Sequence, residues 1–374
     1  MSGPPAATAA CRLAVRRALA DHDGPVLAAV SGGADSLALA AALAFERPGS
    51  GALVVDHDLQ PGSADVAAKA AAQCESLGLT AQVLTPAQSR WGSRADLPDR
   101  TPHRWGSPAE ESGAECGVGD PQRPAGGPEA VARELRYRLL DAAAAEVEGS
   151  ATPAFSGNVV DRNGQDRVDP PHLPGATALD PPEAHVTVRG EQAVVLLGHT
   201  RDDQAETVLL GLVRGSGARA LSGMAPVRGR YRRPFLDLPR VLVRQACAEA
   251  GLEPWEDPHN SDPAYTRVGV RTLLADLDVA EGLARSAGLL REDADALDAL
   301  AVPTDDVAVL AAMLPAVRGR SLKVWAELQC GRAVTSAHVA ALRALVEDWR
   351  GQGPVALPGG GRVARAAGRL AFSP

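Results

Sequence analysis

The stretch Val26-Leu27-Ala28-Ala29-Val30-Ser31-Gly32-Gly33-Ala34-Asp35-Ser36, running on into the alanine- and leucine-rich segment Leu37 to Phe45, decides how this chain folds. Five apolar residues predict a buried strand, the paired glycines a tight turn, and the segment beyond Ser36 a helix. Gly32 and Gly33 let an anion approach the backbone, because no Cβ stands in the way. The first N–H groups of the helix have no intrahelical acceptor, and the positive end of its dipole points into the same space. The turn is therefore expected to hold phosphate through Ser31, Gly32, Gly33, Ala34, Asp35 and Ser36. A simpler alternative is that Ser31 caps the helix after the turn. No lysine follows the glycines, so the GxxxxGK[ST] loop of kinases and GTPases does not apply. Asp35 stands out, since a carboxylate beside phosphates adds repulsion unless a divalent cation or another donor lies between them. The expected ligand is ATP with Mg2+, and Asp35 is the expected protein ligand of the metal.

Outward from this turn, apolar runs and helical periods alternate. Strands are expected at Val26 to Val30, Ala52 to Val55, Ala81 to Leu84 and Val194 to Leu197, and helices at Leu37 to Phe45, Asp65 to Leu77, Glu129 to Val147 and Gln204 to Val213. That alternation predicts an α/β fold, a parallel Rossmann-like sheet with helices on both faces. In such sheets ligands sit beyond the carboxyl ends of the strands. Ser31 to Ser36, Asp56-His57 and His199 to Asp203 each follow a strand end, which points to one shared site. Asp56 and His57 suit the ribose or adenine of a nucleotide, or else Asp56 caps the next turn. His199 is expected to orient its neighbours or the nucleotide, because no cluster with metal-ligand spacing surrounds it. Asp203 and Glu206, three apart on one helix, are either capping and dipole residues or a carboxylate pair for an amine or a metal.

Composition sets the limits. The chain has 374 residues, 45% of them hydrophobic and only 3% aromatic, which suits two domains with aliphatic cores. All 38 basic residues except Lys69 and Lys323 are arginine, and the net charge of −8 argues against wholesale coating of nucleic acid. Five cysteines at 11, 74, 116, 247 and 330 form no CxxC pair, which fits neither a zinc knuckle nor a disulfide framework and suits a reducing cytoplasm. No continuous apolar stretch is long enough for membrane insertion, and no signal core opens the chain. Trp91 to Gly127 and Gly149 to Gly190 are dense in Pro, Gly, Ser, Asp and Arg and read as long surface insertions, either flexible or serving as a lid or an RNA-contacting loop.

A basic stretch runs from Arg214 to Arg244, with Asp237 as its sole acid. Arg214, Arg228, Arg230, Arg232 and Arg233 are candidates for tracking nucleic-acid phosphates, the alternative being a solvated face laced with local ion pairs. Leu283 to Leu300 and Thr335 to Trp349 carry helical periods, so the C-terminal part is expected to be a smaller, mainly helical domain. The expected organisation is 1–235 for the nucleotide-binding domain, 236–280 for an arginine-bearing linker and helix, and 281–374 for the helical domain.

SGGADS, VDHDLQ (Val55 to Gln60), AVARELRY (Ala130 to Tyr137), GHTRDDQAET (Gly198 to Thr207) and RGSG with the following LSGM (Arg214 to Met224) together resemble the tRNA(Ile)-lysidine synthases. SGGxDS alone marks only the pyrophosphate-loop ATPase superfamily, whereas five ordered motifs are specific. The resemblance implies an adenine nucleotide alpha hydrolase-like fold and a two-step reaction on the wobble cytidine of a tRNA(Ile) with a CAU anticodon. ATP activates the C2 oxygen as an adenylate, and the amine of free L-lysine then displaces AMP. It also implies that Arg133, Asp203 and Glu206 lie near lysine and the adenylate. Arg267 and Arg271 match the arginines of the family's helix following Pro258 and Asn260, and are implied tRNA contacts. Gln60 replaces an arginine common in the family, and the chain is expected to end after the first C-terminal domain, leaving fewer surfaces for tRNA. Two other functions compete: tRNA thiolation, which needs paired cysteines, and a non-enzymatic nucleotide-binding module.

Overall fold

A computed structural model describes residues 3–56, 62–85, 128–149, 192–256 and 266–374. His57, Gln60, Pro258, Asn260, the Arg267 side chain and nearly all of the two long insertions lie outside the described residues. In chain order the elements begin α1 (Ala6–Ala18), β1 (Val26–Val30), α2 (Ala34–Glu46), β2 (Gly51–Val55), α3 (Ser63–Ser76), β3 (Thr80–Leu84), α4 (Pro128–Gly149) and β4 (Val194–Leu197). Next come α5 (Arg201–Val213), the single turn α6 (Ala218–Leu221), β5 (Val227–Arg228), β6 (Tyr231–Arg232) and α7 (Arg240–Glu249). The chain closes with α8 (Thr266–Leu277), α9 (Ala280–Ala299), α10 (Val307–Ala312), α11 (Pro315–Cys330), α12 (Ser336–Glu347), β7 (Val355–Ala356), β8 (Arg362–Ala366) and β9 (Arg369–Ser373). They form two compact units, Met1–Arg201 with Pro226–Asp262, and Asp202–Ala225 with Pro263–Pro374.

The first unit is built on a six-stranded sheet of order β3-β2-β1-β4-β6-β5. All neighbours from β3 to β6 are parallel, and only the edge strand β5 is antiparallel. Strand periodicity sorts its side chains to two faces. Val26, Ala28, Val30, Ala52, Val54, Val194 and Leu196 share one core with α1, α2, α3 and α7. The alternate residues Leu27, Leu53, Val195 and Leu197 share another with Leu139, Leu140, Ala143 and Ala144 of α4. Because both faces are covered there, the central strands β1, β2 and β4 read as unbroken apolar runs, as buried parallel strands do. Leu37, Leu39 and Leu43 of α2 are fully buried, each worth about 1.5–3 kcal/mol of transfer free energy.

Chain order reverses at β1: the path moves outward through β2 and β3, then returns to the opposite side of β1 as β4. The crevice beyond the carboxyl ends of β1 and β4 is thus the topological switch point, where open α/β sheets bind ligands. Helix α1 lies outside the sequence expectation. Its buried stripe Ala7, Cys11 and Val15 is built mostly of small residues, too weak a period to stand out in an alanine-rich chain.

The second unit is mainly helical, as expected, but carries a three-stranded antiparallel sheet, β7-β8-β9, that the sequence reading missed. Val363, Leu370 and Phe372 face the helices inward, while the remaining positions are alanine, arginine and serine of low strand propensity. The available signal was the two-residue turn Ala367-Gly368, whose φ angles of 48° and 76° match a hairpin turn. Arg318 ties this unit together from within: its Nε donates to Leu310 O at 2.7 Å, and its Nη2 donates to Ala311 O and Met313 O at 3.0 and 2.8 Å. Leu310 O also accepts the Met313 N–H at 3.2 Å, so one buried guanidinium adds its donors to the carbonyls where α10 ends. Among the described residues, no helix is long and apolar enough to cross a membrane.

Candidate active site

The glycine turn after β1 keeps the N-terminus of α2 open. Gly33 is the N-cap, in extended conformation, and no side chain caps the helix. Ser31 is not the cap that the simpler reading allowed; its hydroxyl lies 3.3 Å from that of Ser36. Ser36 Oγ in turn accepts the Ser31 N–H at 3.1 Å and donates to Gly33 O at 2.8 Å. These hydroxyls brace the turn, which leaves the anion-binding end of the helix to an outside acceptor. Gly32 has φ +82°, a left-handed conformation that a side chain strains.

Gly198, at the end of β4, meets this turn directly. A Cβ there would lie 3.0 Å from Asp35 O, 3.1 Å from Asp35 C and 3.2 Å from Ser36 N. Sequence reasoning passed over Gly198, although a glycine between a strand end and His199 signals close backbone approach. Thr200 is fully buried. Asp56, at the end of β2, is also buried, and its N–H donates to Leu84 O at 2.9 Å. The adjacent strands β2, β1 and β4 thus bring Asp56, Ser31 to Ser36, Gly198 and His199 to one edge of the sheet.

Asp35, in the first turn of α2, faces Arg240, whose Nε stands 3.7 Å from Asp35 Oδ2. Arg240 opens α7 and was absent from the expected site residues; a separation of some two hundred positions hid the pairing. Beneath them, burial, followed by the charges of Glu249 and Asp35, pushes the Cys11 thiol up to about 12. Burial and then Asp35 push the Cys247 thiol up to about 11. Among the described residues no group of three or more His, Cys, Asp or Glu side chains forms a metal cage. A lone carboxylate beside a phosphate turn fits Mg2+, which takes most of its ligands from phosphates and water.

Arg133 lies on α4. Glu148, near the other end of that helix, accepts the Ala193 N–H at 2.8 Å, so this end abuts the start of β4. Fifteen residues back, about 22 Å at 1.5 Å per residue, Arg133 belongs to the end directed toward the carboxyl edge. Its guanidinium lies over Tyr137, 5.4 Å from the ring centroid.

In the second unit, Glu206 is buried and accepts from Arg271 Nε at 2.7 Å. Arg271, an implied tRNA contact, is therefore engaged by the neighbouring carboxylate. Asp203 is half-buried, and its carbonyl accepts the Thr207 hydroxyl at 2.8 Å. Between them Gln204 holds the LSGM turn: its Nε2 donates to Met224 O at 3.1 Å and its Oε1 accepts the Met224 N–H at 2.7 Å. Gly223, at φ +62°, is required there, because a Cβ would come within 2.5 Å of Gln204 Oε1. Arg291 donates to Ser222 O and, at 2.7 Å, to Met224 O.

The basic stretch does not form one open surface. Arg214 and Arg228 are exposed. Arg230 pairs with Glu148 at 3.2 Å and Asp141 at 3.4 Å, with its side chain only 16% exposed. Arg232 pairs with Asp21 and the Ala18 carbonyl, and Arg233 is buried. Half-buried guanidinium groups with carboxylate partners order the structure at the cost of availability.

An open parallel sheet with an uncapped glycine turn at its switch point defines an α/β nucleotide-binding protein of the pyrophosphate-loop kind. A family described as the PP-loop domain matches residues 184–277, and one described as the TilS substrate binding domain matches residues 306–371. The tRNA(Ile)-lysidine synthase of Leifsonia xyli subsp. xyli is 41% identical over 99% of this chain and 98% of its own. That of Thermobifida fusca is 41% identical over 100% and 99%. The chain belongs to the tRNA(Ile)-lysidine synthase family.

Proposed function

We propose that this enzyme joins lysine to C2 of the wobble cytidine in the CAU anticodon of tRNA(Ile), consuming ATP and releasing AMP and pyrophosphate. The cytidine C2 oxygen attacks the α-phosphorus of ATP, and pyrophosphate leaves. The lysine amine then adds at C2, loses a proton, and AMP departs with the oxygen. Adenylation is needed because that oxygen is a poor leaving group. The observation that carries this reading is the uncapped start of α2 at the switch point, flanked by Gly198, Asp56 and Arg240. Backbone N–H groups and the helix dipole stabilise phosphate charge as it shifts in the transition state. Asp35 would hold Mg2+ together with the ATP phosphates, and the ion would supply charge that offsets theirs; Arg240 orients the Asp35 carboxylate and adds positive charge beside it. Asp56 faces the nucleoside, and His199 orients it.

Asp203 and Glu206 receive the lysine ammonium and amine, with Arg271 fixing the Glu206 carboxylate. Only Gly198, His199 and Thr200 separate β4 from α5 in sequence, which supports the use of both motifs in one reaction. Arg133 serves a phosphate or carboxylate. Among the described side chains, Arg214 and Arg228 are the most available of the arginines proposed for tRNA phosphates. Incubation with ATP, Mg2+, labelled lysine and CAU-anticodon tRNA tests the whole: lysine incorporation with AMP release is expected, and ATP binding without AMP release leaves only a binding module. Glu206→Ala is expected to raise the lysine KM more than the ATP KM, by about tenfold or more for a lost charged hydrogen bond; equal rises remove Glu206 from amine recognition.

Sulfur transfer finds little support among the described residues. Burial pushes Cys11 to about 12 and Cys74 and Cys247 to about 11, so these thiols stay protonated at neutral pH. In native protein at pH 8 all three are expected to resist alkylation and to react only on unfolding, as mapped by peptide mass spectrometry. Rapid labelling of any of them in the folded protein contradicts this.

A further inference from the structure

We propose that the segment Leu252 to Glu256 is a strap that sets the working orientation of the phosphate turn. Gln73, on α3, pairs with Glu253 much as a neighbouring strand does: its Nε2 donates to Glu253 O at 3.1 Å, and its Oε1 accepts the Glu253 N–H at 2.7 Å. Two residues on, the Trp255 N–H donates to Gly32 O at 3.0 Å. Helix α3 also backs the turn, since a Cβ on Gly32 would lie 3.5 Å from both Val66 and Ala70.

The consequence follows from peptide geometry. Gly32 and Gly33 lack side chains, so steric preference alone does little to fix the peptide unit between them. That unit is planar and trans, and its C=O and N–H point in opposite directions. Holding the Gly32 carbonyl toward Trp255 turns the Gly33 N–H away from the strap. The Gly33 N–H then joins the first N–H groups of α2 as a donor to phosphate. Gln73 acts through Glu253, and Trp255 through its backbone, so both are positioning residues.

The proposal rests on the reading of Ser31 to Ser36 as the ATP phosphate site, and the variants separate the two. Trp255→Pro removes the N–H, whereas Trp255→Ala keeps it; Gln73→Ala removes both bonds to Glu253, whereas Gln73→Glu keeps the acceptor. In the full-length enzyme, Trp255→Pro and Gln73→Ala are expected to weaken MgATP binding by calorimetry, and to raise the ATP KM, by about tenfold for one lost hydrogen bond at the site. The kcat is expected to stay within about twofold, and Trp255→Ala and Gln73→Glu to shift ATP affinity by less than about threefold. Hydrogen exchange over Ser31 to Ala34 is expected to quicken in Gln73→Ala without ATP. Should Trp255→Pro fail to fold, as judged by circular dichroism, the Gln73 pair decides. Equal ATP affinities within each pair overturn the strap, as does a fall in kcat with the ATP KM unmoved. Gly33→Pro, which deletes the donor, tests the underlying site. Wild-type ATP affinity in that variant sinks the site and the strap together; weakened affinity there, with no difference within the other pairs, sinks only the strap.

Discussion

Asp35→Ala is expected to cut AMP formation by at least about 100-fold while leaving the fold intact, the scale on which removal of one charge-stabilising group acts. Asp35 is proposed to bind the metal that accompanies the triphosphate, and it faces Arg240 at 3.7 Å. Deleting the carboxylate leaves Arg240 without that neighbour but still attractive to phosphate. The loss should therefore fall on kcat more than on the ATP KM. AMP and pyrophosphate release in the presence of lysine and tRNA measures it, with circular dichroism checking the fold. A second readout is independent of turnover: Asp35 contributes to the raised thiols of Cys11 and Cys247, so their apparent pKa values should fall in the variant. Undiminished AMP formation removes Asp35 from the reaction.

Gly198→Ala is the second change with a large expected effect. The new methyl group would meet backbone atoms of Asp35 and Ser36 at 3.0–3.2 Å, and backbone in the first turn of a buried helix does not yield cheaply. Overpacking of this kind costs about 1–3 kcal/mol. The strain also acts directly on the phosphate turn, so ATP affinity should fall together with the melting temperature. Gly288→Ala, in the open face of α9 with nothing within 4 Å, is the contrast. There the added methyl lowers the conformational entropy of the unfolded chain and should stabilise by about 0.5–1 kcal/mol. Equal melting temperatures for Gly198→Ala and the parent protein contradict the close approach.

Much of the first unit was legible because buried parallel strands leave an unmistakable trace. Val26 to Val30 and Val194 to Leu197 were placed to the residue, since water is excluded from both faces and every position must be apolar. Helix α1 and strands β8 and β9 were harder to read: alanine is compatible with either element, and arginine on an outer face says little about periodicity. The glycine turn was readable as a local motif. Arg240 and the strap at Trp255 were not, because their partners lie roughly two hundred residues away and no local pattern records such a pairing.

By itself the sequence determined the alternation of strand and helix, the glycine turn and the family, because each is written in adjacent residues whose backbone preferences and burial are local. Only the tertiary structure decided which charges are available. Arg230 and Arg232 read as part of one basic stretch and Arg271 as a separate tRNA contact, yet each turns toward a carboxylate brought in by a distant part of the chain. Coulomb energy falls with separation and rises with burial, so the standing of a charged side chain is fixed by what folding places beside it.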